Sequence, residues 1–378
     1  MKSPYSTLPD SAFWQRSVAG LQPGQVDPVD RPPAFQVSPS DKVVTAGSCF
    51  AQHIARYLRD AGFQVLVTEP AHPIASPEIA EAYNYGIFSA RYGNLYTARQ
   101  LVQLFHRAYG NFHPHEDVWE QEGRYVDPFR PRIQPDGFAS RREYDADQQK
   151  HFAAVRRAFE ELELFVFTLG LTEAWRSKAD GAVFPVCPGV AGGTFDPERH
   201  EFHNFTTEEV SLDLLAFVDA LRNVNQSAKV LLTVSPVPLV ATAAPRHVLV
   251  STVYSKSVLR VATEAVCGAR ADVVYFPSYE IITGNFSRGA YFAPDCRSVT
   301  EDGVSHVMRT FFRHFVRGSK QPAAASQIAA PPDRHLAEAE SIFSVLCEEE
   351  MLDKRERRRA GRRAERRRRR SEEASTAE

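Results

Sequence analysis

The sequence predicts an α/β fold, a three-layer α/β/α sandwich around a parallel sheet. Three observations carry this. Short apolar runs at Lys42–Thr45, Phe63–Val67, Leu164–Leu169, Lys229–Val234 and Asp272–Phe276 lack the polar alternation of a half-exposed strand, as strands covered on both faces do. Helical patterns stand between them. The first strand, helix and strand follow one another within residues 42–67, a βαβ unit, which implies parallel pairing. With 378 residues, 43% hydrophobic and 24% charged, the chain is long enough for one large core with elaborations.

Residues 1–39 carry Pro4, Pro9, Pro23, Pro28, Pro32 and Pro33 and read as an extended arm, pinned by Tyr5, Phe13 and Trp14. The main domain spans 40–318. Its first strand ends at Ala46-Gly47, and a helix over Phe50–Ala61 follows, with Phe50, Ile54, Tyr57 and Leu58 at helical spacing. Ser48 and Cys49 therefore fall at a strand-to-helix turn, beside the first exposed N–H groups of the helix. Such a turn can hold a nucleophile and stabilise negative charge. It serves equally as a plain helix start, with Ser48 as N-cap and Cys49 as a small buried residue. Gly47 has no G-x-G-x-x-G around it, so a dinucleotide site is not indicated.

Asn84-Tyr-Gly86 and Tyr92-Gly93-Asn94 precede a helix from Thr97 to about Tyr109. Residues 110–150 are polar and Pro-rich and read as an inserted cap over the site. His113 and His115 lack further ligands, so no metal is expected. A helix over Asp147–Leu162 leads to the strand at 164–169, which ends in Gly170-Leu171-Thr172-Glu173. Residues 176–205 read as a loop. Thr206 with Glu209 forms a capping box before a helix to Asn223. Helices follow at Tyr254–Val266 and Glu301–Phe315. Strands and helices in this alternation give a flavodoxin-like sandwich.

Gly47-Ser48-Cys49-Phe50-Ala51 spells GSCFA, and the chain resembles the GSCFA family, a relative of the SGNH (GDSL-type) hydrolases, to about Phe315. The resemblance implies an SGNH-hydrolase-like fold and an esterase or acyltransferase acting on an acyl ester, of small-molecule or glycan type. By register Cys49 takes the nucleophile slot, with Ser48 the alternative. Gly86, or else Gly93 with Asn94, matches the block whose glycine N–H holds the oxyanion. Gly170 to Glu173 matches the third block, with Thr172 in place of asparagine. Near the C-terminal end the family pattern D-x-x-H meets Asp295 but has Ser298 in the histidine slot. Serine cannot serve as a base. His306 is the substitute base expected from this reading, oriented by Asp295 or Asp302. A catalytically lapsed binding protein on the same fold is the first alternative, and the missing histidine favours it.

The net charge of −2 hides an asymmetry. Residues 354–370 hold 12 Lys/Arg and 2 Glu, leaving 33 basic and 45 acidic residues elsewhere. Residues 319–378 read as a linker and Arg-rich tail, whose run at 354–370 suits an anionic partner such as RNA, lipid or an acidic protein, which makes an interaction protein the second alternative. The five cysteines are widely spaced with no C-x-x-C, so reduced thiols in a cytoplasm are expected. No apolar stretch is long enough to span a bilayer, no signal peptide is apparent, and no cofactor is called for.

Overall fold

A computed structural model describes residues 3–317; the linker and tail expected over 319–378 lie outside them. Nine strands and eight helices are named here in chain order: β1 (Val43–Gly47), α1 (Phe50–Asp60), α2 (Pro77–Ala82), α3 (Ala98–Ala108), β2 (Trp119–Gln121), β3 (Arg124–Val126), α4 (Arg141–Glu161), β4 (Leu164–Leu169), β5 (Glu173–Ser177), β6 (Val183–Phe184), β7 (His200–Asn204), α5 (Thr207–Val224), β8 (Lys229–Val234), α6 (Val248–Ala269), β9 (Val273–Tyr275), α7 (Ser278–Thr283) and α8 (Glu301–Phe315).

The central sheet is parallel, in the order β1-β4-β8-β9. Successive residues alternate between two cores, as the pleat demands. Val44, Ala46, Phe165, Phe167, Val230 and Leu232 pack under α3, α4, α5 and α6. Val43, Leu164, Val166 and Leu231 pack under α1, α7 and α8. These two helical layers complete the α/β/α sandwich.

The expected strand at 63–67 shrinks to a single parallel bridge, Val43 with Val65, held by Val43 N–H to Gln64 O and Leu66 N–H to Val43 O. It still lies on the outer side of β1, so the order is that of a flavodoxin-like sheet. The supposed loop over 176–205 instead contains the end of β5 together with β6 and β7, which form a separate antiparallel sheet in the order β6-β5-β7. Within 110–150 lie the β2–β3 hairpin and the first turns of α4, which begins at Arg141 rather than Asp147. Helix α6 extends the expected 254–266 by several residues at both ends.

The described part of the arm, residues 3–39, is held differently from the expectation. Tyr5 and Trp14 are 67% and 62% exposed and anchor nothing. Val26 and Val37 are the buried residues. Val37 N–H donates to Phe315 O, Arg317 N–H donates to Val37 O, and Asp27 pairs with Arg313 and His314. The arm is thereby tied to the last helix.

Candidate active site at the strand ends

The carboxyl ends of β1, β4 and β8 meet at one crevice. This is where strand order reverses about β1, the position at which open parallel sheets take ligands. Gly47 closes β1 with φ +135°, and a Cβ there would lie 2.2 Å from Thr168 O. Only glycine allows the chain to turn this close to β4. Ser48 N–H donates to Thr168 O at 3.0 Å, and Ala51 N–H donates back to Ser48 O at 2.9 Å. Cys49, already helical in φ and ψ, is the N-cap of α1.

Ser48 and Cys49 are both buried and line one small cavity, about 10 Å³, together with Tyr96, Gly170, Leu171, Ser235, Val237, Pro238, Leu239 and Arg297. That volume is of the order of one water or one carbonyl oxygen. Ser48 Oγ is buried without a hydrogen-bond partner among the described residues. Gly170 is needed for its size: a Cβ on it would approach Ser48 Cβ and Tyr96 O to 3.1 Å each. Both Gly170 N–H and Leu171 N–H donate to Tyr96 O, and Leu95 N–H donates to Gly47 O, which lays the 95–96 segment across the turn. Lys256 of α6 is fully buried and donates from Nζ to Gly170 O at 2.5 Å.

Arg297 reaches this cavity from the loop before α8. Asp295 shapes that loop: its carboxylate accepts from Arg297 N–H and Ser298 N–H, both at 2.9 Å, and from Ser298 Oγ at 2.6 Å. Partial burial works to raise the Asp295 pKa, but these hydrogen bonds outweigh it and hold the carboxyl below its ordinary value. The residue in the histidine slot is thus bonded to the aspartate, and the residue before it supplies a guanidinium, whose Nε donates to Pro238 O.

The other expected site residues lie elsewhere. His306 is buried with both ring nitrogens engaged, Nε2 with Val26 O and Nδ1 with the Tyr291 hydroxyl, each at 2.8 Å. The carbonyl requires Nε2–H, so Nδ1 accepts from Tyr291 and no lone pair is left for a nucleophile. Burial, the largest cause, pushes its pKa below the usual imidazole value. Asp302 is exposed on the first turn of α8. The Gly86 carbonyl accepts from Arg59, near the far end of α1 from Cys49. Gly93 and Asn94 line a different small cavity with Asn84, Phe88, Arg130, Arg132 and Ile133. Thr172 donates its hydroxyl to Asn204 Oδ1 at 2.6 Å, and its N–H goes to Ser255 Oγ, so neither is left for an oxyanion. Glu173 accepts from Thr242 Oγ1 and faces a second, larger cavity.

Sequence reasoning gave no site role to Tyr96, Ser235, Lys256 or Arg297, although the Ser235-Pro-Val-Pro238 turn fits the family pattern. The positions of Ser235, directly after β8, and of Arg297, beside the Asp295 motif, were signals for those two. Nothing in the pattern of α6 singles out Lys256. Among the described residues no cluster of three or more His, Cys, Asp or Glu could hold a metal, and no helix is long and apolar enough to cross a membrane.

The sequence model of the GSCFA family matches residues 42–311, a span that runs from just before β1 into α8. No curated protein and no solved structure matches the chain.

Proposed function

The chain belongs to the GSCFA family, and we propose that it is an acyl esterase or acyltransferase of SGNH type, with Cys49 as nucleophile. The observation that carries this reading is the shared cavity of Ser48, Cys49 and Arg297 at the carboxyl ends of the sheet. The parallel strand order, the nucleophile turn after the first strand and an aspartate motif before the last helix support SGNH kinship.

A serine needs a strong base to lose its proton, and no imidazole lines the cavity. A thiol needs less. The N-terminus of α1 and the Arg297 guanidinium, which lines the same cavity, favour a thiolate at Cys49. The Cys49 sulfur attacks the acyl carbonyl carbon. The carbonyl electron pair moves to oxygen, where N–H groups at the start of α1 and the Arg297 guanidinium stabilise it. Collapse of this intermediate expels the alcohol, which takes up a proton, and leaves an acyl thioester. Water then releases the acid, or a second alcohol takes the acyl group. A thiol nucleophile needs a reducing compartment, which fits a cytoplasmic location.

Hydrolysis of an activated acyl ester by the wild type and by Cys49→Ala, Ser48→Ala and Arg297→Ala tests the reading. Loss of turnover in Cys49→Ala with the fold intact is the expected result. Equal rates in wild type and Cys49→Ala would overturn it. The second reading, a binding protein without catalysis, draws on the Ser298–Asp295 hydrogen bond that fills the place of an Asp–His pair.

A further inference from the structure

Beside the Ser48–Cys49 cavity lies a second one, of about 220 Å³. The antiparallel sheet frames it with Glu173, Ala174 and Trp175 of β5, Phe184 of β6 and Phe202 of β7, and residues 185–190 and 239–243 close it. Tyr96, Leu171 and Leu239 line both cavities and form one buried side-chain cluster. These three residues therefore stand as a common, mostly apolar wall between the nucleophile turn and the larger space.

From this shared wall we propose that the ester taken at Ser48–Cys49 carries an apolar acyl group, which reaches past the wall into the 220 Å³ cavity, while its polar alcohol part faces Arg297. The proposal rests on the esterase or acyltransferase reading above and names its substrate class. The size suits it: an apolar cavity of about 150 Å³ already admits benzene. The chemistry of the walls suits it as well. Trp175, Phe184, Val186 and Phe202 offer aromatic and aliphatic surface. The Glu173 carboxylate takes the Thr242 hydroxyl and repels an anionic group, so the carboxylate end of a released acid is kept out. A neutral group is what remains, and the aromatic and aliphatic walls favour a hydrocarbon chain.

The experiment compares p-nitrophenyl acetate with p-nitrophenyl hexanoate in the wild type, in Ala174→Phe, which fills the cavity, and in Ala241→Trp, placed at its exposed rim so that folding is not at stake. In parallel, ligand-observed NMR follows hexanamide and acetamide, which bind without turnover. The expected result is a kcat/KM higher for hexanoate by about tenfold or more, the scale set by burying a few methylenes. Both variants then lose the hexanoate preference and keep acetate turnover, and hexanamide contacts weaken in both. Equal rates for the two esters, unchanged in both variants, would overturn the proposal and leave the esterase reading standing. No turnover of either ester, with hexanamide binding that disappears in the variants, would support the cavity as an apolar-group site and remove the esterase reading. Absence of hexanamide binding in the wild type would overturn the proposal.

Discussion

The turn at Gly47–Cys49 and the segment from Tyr291 to His306 were both singled out by motif, and they differ in what the motif fixes. At the turn, the motif records a backbone requirement. Gly47 has a φ no other residue adopts readily and lies against Thr168 O, so Ser48 and Cys49 are placed whatever their chemistry. At the second segment, the motif records a side-chain role, and side chains can be reassigned without moving the chain. Helix α8 begins where expected, yet Ser298 is bonded to Asp295 and His306 faces Val26 O and Tyr291. Backbone constraints survive reading from sequence; roles inferred from spacing need the partner atoms.

Substitutions that break this comparison are ordered by size. Gly47→Ala places a methyl group at 2.2 Å from Thr168 O in a left-handed backbone, so strain and overpacking together cost about 3 kcal/mol or more. Denaturant unfolding should show a midpoint far below wild type, or no folded protein. Next, Cys49→Ala should lower kcat/KM for an activated ester by about 10³-fold, with a near-native melting curve. Arg297→Ala follows at about 10²-fold, the usual cost of losing one oxyanion donor, and Arg297→Lys should recover part of it because charge returns without the guanidinium fork. A flat response to Arg297→Ala, with Cys49→Ala inactive, would leave the thiol without its charged neighbour in the mechanism.

The parallel sheet was legible because β4 and β8 are continuous apolar runs and the helices between them carry caps, such as Thr206 with Glu209. Phe63–Val67 has the composition of a strand but makes only one bridge, since the chain leaves β1 after Leu66. The antiparallel sheet of β5 to β7 was missed because β6 has two residues and β7 is His-Glu-Phe-His-Asn, too polar to stand out. Of the candidate site, the Ser48–Cys49 turn and Gly170 were readable. The contributions of Tyr96 and Lys256 depend on non-local packing: Tyr96 acts through its carbonyl, and Lys256 reaches across 86 residues of sequence to Gly170.

His306 supplies a sharper test of its segment. Gln in its place removes a matched pair of buried hydrogen bonds in part, so His306→Gln should cost about 1–3 kcal/mol of stability, with turnover per folded molecule unchanged. A base at this position would lose turnover and keep stability. The pH dependence follows from the same burial. His306 and His151 are both held below the ordinary imidazole pKa, each chiefly by burial. The unfolded chain takes up these protons near pH 6.5 and the folded one resists, so their contribution is full above about 6.5 and is lost as the pH falls below it. Glu69 titrates lower. Burial raises its pKa, but the His151 hydrogen bond and the charges of His151 and Arg130 outweigh it and hold it at about 2. Its contribution, present above the unfolded carboxyl range near 4.5, is lost as the pH falls toward 2. Urea midpoints measured from pH 8 to 2 should therefore decline in two stages, and His306→Gln should flatten the first.

The smallest effect discriminates most finely. Asp295 holds Arg297 and Ser298 through two N–H groups and one hydroxyl, with no imidazole attached. As an orienting acid of a triad, its conversion to Asn would cost about 10⁴-fold in kcat. As the support of a loop, Asp295→Asn keeps an oxygen that can still accept an N–H, and the loss should be about tenfold or less, expressed through a loosened Arg297. Arg297→Ala and Asp295→Asn act on the same guanidinium, so the double variant should be little slower than Arg297→Ala alone. Additive losses would separate the two residues and return Asp295 to a role of its own in the chemistry.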